Sequence, residues 1–515
     1  MKTKAGKDGS IRAEMTGFMM DRRKFLKATG AAAAATAWIH SDQAHAREIL
    51  LAAASEPAPK PKEPALNLEK RLARYAASVR YQDLPTEVVQ ACKRLLLDTL
   101  ACAFGAVGSP PATIAEAASR KSFGSGNVAT IIGSTQLIAT EGAALVNGIL
   151  VRDLDLNDTY YGFDPSHPSE VIPAAIACCE EAGRSGRDLI EAMVVTYEAD
   201  MRLNNAFSWA ARGFHALSHC AFAIPLAAGK AWRMSEEQVA HAIGISGAHQ
   251  LTSLAMNYGV ISMTKSLAPA HTAMDALFDT RLAAGGFTGA TNLIEWMTAN
   301  IQPTEKSVNV DLDPKRYNIT KVGLKRFPLA GSLQTSTEAG VNLHPNVKGR
   351  ISDIREIIVE TYPATIKRGV AEPDKYRPQT RETADHSMPV CLAMALLDGD
   401  VNVKQFHDDR WKAPEVVALA GKVTVKVGES LVAKDPKGNG SNVEVRLSSG
   451  QVLKESVEIA DGQPPRTMSR VGLERKFRQF ADPVVGEESS KKIMAFVDNL
   501  EEVKDVRMLT ELLRK

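Results

Sequence analysis

The segment DLDLNDTYYGFDPSHPSEVIPA, Asp153 to Ala174, follows the apolar run EGAALVNGILV and leads into the equally apolar VIPAAIACC. Before His167 it holds four aspartates (Asp153, Asp155, Asp158 and Asp164) and two tyrosines. The interior of a buried helix has no use for such residues. A polar break between two buried helices instead displays side chains that rigid elements hold in place. Pro165 and Pro168 bracket His167 and restrict its backbone. The segment therefore reads as a wall of a polar site, with the helical runs on either side as its frame.

Working outward, the helical pattern extends from Leu66 to about Leu293. LEKRLARYAASV repeats apolar residues at three- and four-residue spacing, and several later runs are apolar on all sides, as buried helices are. After Asn309 the pattern changes to alternating β-branched runs with Gly and Asn between them, as in SNVEVRLSSGQVLKESVEIA. From Gly472 to Lys515 the chain reads as helix again. The expectation is a mainly α protein with a smaller α+β domain: a helical domain over 66–320, an α+β domain over 321–460, and C-terminal helices over 461–515.

Composition narrows the function. Of the 515 residues 44% are hydrophobic and 6% aromatic, and the net charge is +2. A near-neutral chain carries no basic field for nucleic acid. Its apolar runs are too short or too interrupted to span a bilayer. Near the N-terminus, Arg22-Arg23 precede FLK, a weakly apolar alanine run and the small-x-small sequence Ala44 to Ala46. This resembles a twin-arginine export signal over 1–46 and predicts a periplasmic protein. The Pro/Lys stretch within 47–65 reads as a linker. The six cysteines show neither metal nor disulfide spacing and read as buried small hydrophobes.

Three familiar motifs fail on context. His215 and His219 have the i, i+4 spacing of a metal-binding helix, but no third ligand stands at a diagnostic distance, so no metal is expected. GISGA (Gly244 to Ala248) lacks the last glycine of a nucleophile elbow and follows a helix rather than a strand. GSGNVA at Gly124 opens onto a strand-like run, the reverse of a dinucleotide site. What remains are acid/base and anion-binding groups: Asp155, Thr159 and His167 in the opening segment, Arg212 and His215 in RGFH, Lys265 in TKSLAPAH, and Lys325 with Arg326 in KRFP. Histidine exchanges protons near neutrality. Lysine and arginine hold carboxylates and stabilise an enolate-like anion.

In this order, with RETADHSMPVCLAMALLDG following, these stretches resemble the MmgE/PrpD superfamily of 2-methylcitrate dehydratases, cis-aconitate decarboxylases and an iminodisuccinate epimerase. The resemblance spans about Leu66 to Asp400. It implies an all-helical domain, discontinuous in sequence, with an α+β lid, a site between the two, no metal or organic cofactor, and a homodimer. It also implies that Asp155, Thr159, His167, His215, Lys265 and Lys325 line the site. Ala268 and Gln334 stand where many relatives carry histidine, which shifts the expected acid/base work onto His167 and His215. The expected activity is a hydro-lyase of the 2-methylcitrate dehydratase type acting on a di- or tricarboxylate. A histidine would take the proton beside a carboxylate, and an acid of the Asp155/His167 group would protonate the departing hydroxyl. Lys265, Lys325 and Arg212 would hold carboxylates. A decarboxylase or epimerase is the nearest alternative, and a non-catalytic periplasmic carboxylate-binding protein is the alternative of another class.

Overall fold

Among the described residues, ten α-helices lie between Leu68 and Asn300. They are α1 (Leu68–Ser78), α2 (Thr86–Gly105), α3 (Pro110–Ser122), α4 (Thr140–Asp153), α5 (Ile172–Glu181), α6 (Gly186–Asn204), α7 (Cys220–Ala231), α8 (Glu236–His249), α9 (Thr264–Ala284) and α10 (Leu293–Asn300). The computed structural model describes residues 66–123, 128–302, 308–436 and 438–515. The export signal and linker assigned to 1–46 and 47–65 lie outside these residues.

Local signals set the helix starts. Asn67 caps α1 by accepting from Lys70 N, and Ser185 with Asp188 and Ser235 with Gln238 form reciprocal capping boxes at α6 and α8. One large core joins the helices through residues such as Leu95, Val151, Ile172, Val194, Phe222 and Leu277, all essentially inaccessible. Gly148 on α4 lets α9 approach closely. A Cβ there would lie 2.8 Å from Ala270 Cβ and 2.9 Å from its Cα. This contact brings the start of α9, which carries Lys265, beside the end of α4, which leads into Asp155.

A second core lies between α11 (Gln334–Val347), α13 (Met388–Asp398) and a four-stranded sheet. The strands are β1 (Ile354–Thr361), β2 (Val423–Val427), β3 (Ser441–Leu447) and β4 (Val452–Val457), in the order β2-β1-β3-β4. β1 runs parallel to β2, pairing Ile357 with Val423, and antiparallel to β3, pairing Val359 with Val443. The short helix α12 (Pro363–Gly369) follows β1. Strand β3 alternates buried and half-buried residues, as a strand with one face on a core must.

The last long helix, α14 (Arg470–Asp498), returns to the first core through Leu473 and Phe477 and is interrupted at Gly486, whose φ of 82° is non-helical. Phe477 meets Phe104 of α2 edge-on at 6.0 Å. The buried Lys476 donates to Asp98 Oδ1 (2.6 Å), Leu156 O (3.0 Å) and Lys325 O (3.2 Å). It ties α14 to the polar segment after α4.

All six cysteines are buried free thiols, and burial pushes Cys92 up to about 12. GISGA lies inside α8 with Ser246 buried, so no strand-to-helix elbow presents that serine. Among the described residues no single helix is long and apolar enough to cross a membrane. The pair α2 and α3 passes on length and composition together, but it is bent by 91°.

Candidate functional site

Helix α4 ends at Asp153, and two residues later Asp155 adopts φ 48°. The left-handed region is one that aspartate tolerates better than most residues. The turn drives the Asp155 carboxylate inward, where it is fully buried. Three cations converge on it. Arg152 Nη1 pairs with Oδ1, Lys325 Nζ lies 2.7 Å from Oδ1, and Lys265 Nζ lies 3.0 Å from Oδ2. Lys325 also donates to the Asp155 carbonyl at 2.9 Å. Burial alone would raise the Asp155 pKa, but Arg152, Lys265 and Lys325 together hold it well below the usual carboxylate range. Asp155 is thus held ionised and fixes three cations. The proton-donating role expected of it is corrected on this ground, because a carboxyl held ionised has no proton to give.

The other aspartates of the segment hold the loop. Asp153 pairs with Arg381 at 2.7 Å. Asp158 accepts from Ser169 N (3.1 Å), Ser169 Oγ (2.6 Å) and Tyr197 Oη (3.0 Å), and burial pushes it up to about 6. Asp164 accepts from Ser208 Oγ (2.7 Å), Trp209 N (2.8 Å) and Ala210 N (3.1 Å). Only Asp155 of the four faces the cation cluster.

The histidines differ in what their hydrogen bonds permit. His167 Nδ1 lies 2.5 Å from the Asp158 carbonyl oxygen. A carbonyl only accepts, so Nδ1 carries the hydrogen and Nε2 keeps its lone pair. Burial, with Lys325 and Arg152 close by, lowers its pKa well below the ordinary value, so it rests neutral. His215 is the reverse case. Its Nδ1 accepts from Leu217 N at 3.1 Å, so the neutral ring carries its hydrogen on Nε2. Burial first, then Arg152, Arg368 and Lys265, lower it to about 3. His215 is therefore a neutral hydrogen-bond donor, and the proton-abstracting role expected for it does not suit this tautomer. His215 caps a short 3-10 turn, Ala216–His219, so His215 and His219 do not share an α-helical face. His219 is buried beside Trp209, accepting from its Nε1 at 3.1 Å.

Thr159 donates to Gln463 Oε1 at 2.8 Å and pairs in an isolated bridge with Gly323, which fixes the segment leading to Lys325. Its methyl lies close to where a Gly331 Cβ would stand (3.2 Å), as do Tyr161 Oη (2.9 Å) and Lys325 Cε (3.9 Å). Gln334 closes the turn after Lys325, bonding Phe327 N and O and Leu329 O at 2.9 to 3.2 Å. Arg212 does not join the cluster. Its guanidinium donates to Ser208 O (2.7 Å) and Thr298 O (3.1 Å), so its observed role is to tie down the loop before His215.

Two participants come from the second core. His386 Nδ1 bonds the Asp385 carboxylate, and its Nε2 lies 3.4 Å from Asp155 Oδ2. Asp385 Oδ1 is 3.6 Å from Lys265 Nζ. Asp385 thereby fixes the ring so that Nε2 faces the cluster. Burial and Lys265 together lower the His386 pKa. These residues stand in RETADHSMP, immediately before the buried helix α13, where Ser387 accepts from Val390 N. The signal was the one that marks the opening segment: acid and imidazole abutting an apolar run. Arg152 was missed because it lies within a helical run. It also pairs with Glu170 (Nε to Oε1, 2.9 Å), yet burial still pushes Glu170 up to about 7.

Asp155, Asp385 and His386 place ligand-type atoms within 4.8 Å of one another. Both Asp155 oxygens already face ammonium or guanidinium groups. A further cation would have to displace one of these groups, so Asp155 is not free to ligate a metal.

Lys325 makes the site sensitive to pH. Burial, reinforced by Arg152 and opposed by Asp155, pulls its ammonium down to about 8. Its folded pKa lies below the ordinary 10.5, so the charge is present below about 8 and lost as pH rises through it. Any reaction that needs this charge should lose kcat/KM above about pH 8. Between about 8 and 10.5 the unfolded chain binds the extra proton, so this group's contribution to stability rises with pH over that window. Falling activity without falling stability separates the titration from alkaline unfolding. Rate profiles beside thermal melts check it, and Lys325→Arg should move the alkaline limb upward.

Models of the MmgE/PrpD N-terminal and C-terminal domains match residues 70–305 and 327–502. The chain is 27% identical over 471 residues to a cis-aconitate decarboxylase of Aspergillus terreus, covering 85% of this chain and 94% of that one. It is 26% identical over 459 residues to the human cis-aconitate decarboxylase, covering 84% and 91%. The similarity to the mitochondrial 2-methylcitrate dehydratase of Yarrowia lipolytica is 23% over 334 residues, 60% of this chain and 63% of that one.

Proposed function

The chain belongs to the MmgE/PrpD family, and from that premise we propose a cofactor-independent lyase acting on a di- or tricarboxylate, with decarboxylation of a cis-aconitate-like acid as the leading reaction. The observation that carries this reading is the buried anion Asp155 holding Arg152, Lys265 and Lys325 in one cluster. In a decarboxylation the bond to the departing carboxyl carbon breaks and its electron pair stays on the chain carbon. Carbon dioxide leaves, the pair moves through the adjacent double bond to the carbon beside a remaining carboxylate, and a proton reaches that carbon. The transient carbanion is stabilised when an adjacent carboxylate lies against preorganised cations in a site that excludes water. Lys265 and Lys325 supply that charge, and His215 donates a hydrogen bond through Nε2 to a substrate oxygen. His386, aimed by Asp385, and His167 each present Nε2 for proton transfer. A polyanionic substrate would offset the neighbouring cations and raise both histidines toward the range in which they carry a proton.

The part built on the second core acts as a lid. Gly259 N donates to Glu372 (3.0 Å), Ile261 N to Thr383 Oγ1 (3.0 Å) and Thr380 Oγ1 to Ile261 O (2.7 Å), joining it to the loop before α9. The second reading is elimination of water from a hydroxy polycarboxylate, favoured by the similarity to the dehydratase over 334 residues. It places the same anion beside a carboxylate, with His386 or His167 taking the proton. The test is incubation of the chelator-treated protein with cis-aconitate, citrate and 2-methylcitrate, read by mass spectrometry. Loss of carbon dioxide from cis-aconitate supports the leading reading, and loss of water from 2-methylcitrate the second. Unchanged recovery of all three acids refutes both.

A further inference from the structure

Lys375 ends the 3-10 turn Pro373–Lys375 in the part built on the second core. Its side chain is 1% exposed, and its ammonium has no hydrogen-bond partner. Its main chain is fixed beside the site, because Ser387 Oγ, one residue after His386, donates to the Lys375 carbonyl. Its charged neighbours are Glu372, Asp385, Lys265 and Asp374. Glu372 is engaged by Gly259 N, and Asp385 by His386 and Lys265. A buried ammonium that answers no acceptor is costly to keep, and proteins pair such groups.

The cluster around Asp155 shows what this ammonium is free to do. Arg152, Lys265 and Lys325 already face Asp155, Glu170 and Asp385, three cations against three carboxyl groups. A ligand bearing several carboxylates brings more negative charge than this matched set neutralises. Lys375 is a buried cation that counts Asp385 and Lys265 of this set among its charged neighbours and makes no hydrogen bond to any member of it. We propose that Lys375 Nζ receives one carboxylate of the substrate and makes the site select a tricarboxylate over a dicarboxylate. This rests on the reading of the site as a polycarboxylate lyase and narrows its substrate class.

Calorimetric titration of the full chain with tricarballylate, an unreactive tricarboxylate, and glutarate, a dicarboxylate, tests the assignment without turnover. The wild-type protein should bind tricarballylate at least about tenfold more tightly than glutarate. Lys375→Met should erase that preference while leaving glutarate affinity within about threefold. It should also melt at the same or a higher temperature without ligand, because it removes a buried ammonium that has no hydrogen-bond partner. A purely structural lysine would give the opposite melt and leave the preference intact. Retention of the preference in Lys375→Met overturns the proposal while leaving the lyase reading standing. Failure of the wild-type protein to bind either acid overturns both. Should Lys375→Met not fold, Lys375→Gln decides the matter by the same titrations.

Discussion

Asp155→Asn should abolish turnover, lowering kcat by about a thousandfold or more, and should destabilise the fold at the same time. The carboxylate is fully buried among Arg152, Lys265 and Lys325. Removing one partner from a buried ion network leaves charges uncompensated, which costs about 3–5 kcal/mol. An amide is neutral and cannot hold three cations together, so they separate and the preorganised charge facing the substrate is lost. Losing such electrostatic stabilisation is worth two to three orders of magnitude in rate, on the order of 3–4 kcal/mol, and here two lysines are displaced together. Steady-state kinetics alongside denaturant unfolding measure both effects. Near wild-type kcat in a folded Asp155→Asn protein would show that the cluster is not where the reaction occurs.

His386→Gln should lower kcat by about a hundred- to ten-thousandfold, the scale of losing a positioned acid or base, with little change in the melting temperature. The side chain is partly accessible, and its one strong partner is Asp385. Glutamine keeps a polar group of similar reach but cannot carry a proton. Asp385→Asn should act through the ring by weakening its fixed tautomer, giving a smaller loss and a shifted pH–rate profile. His167→Gln should also slow turnover. His215→Gln should chiefly raise KM, because a neutral donor can be replaced by an amide donor. If His386→Gln keeps wild-type kcat, proton transfer belongs to His167 instead.

The opening segment was legible because its chemistry contradicted its surroundings, whereas Lys265 and Lys325 were singled out only by the resemblance of TKSLAPAH and KRFP to the family's stretches. What the sequence does not carry is which of several like residues turns inward. Four aspartates within a dozen residues look alike until backbone geometry separates them. Asp155 turns in at φ 48°, and Asp164 is engaged by the backbone at Trp209. Arg212 beside His215 looked like a substrate clamp, yet its guanidinium meets backbone carbonyls. Tautomers were equally out of reach, because the partners of His167 and His215 are main-chain groups with no residue signature. His386 arrives from 231 positions beyond Asp155 and meets it only in the fold. The alternating runs of β1 and β3 showed strands, but not that β2 would lie parallel at the sheet edge.

The central claim is that the Asp155 cluster stabilises a carbanion beside a substrate carboxylate without a metal. Proton NMR in heavy water, on chelator-dialysed protein incubated with cis-aconitate and with 2-methylcitrate, tests it most directly. A carbanion protonated from solvent-exchanged histidines must acquire deuterium at the carbon next to the carboxylate, in product or in returned substrate. The wild-type protein should show that incorporation and Asp155→Asn should not. Recovery of both acids with full proton content from the wild-type protein, or incorporation that appears only after metal is restored, would contradict the account.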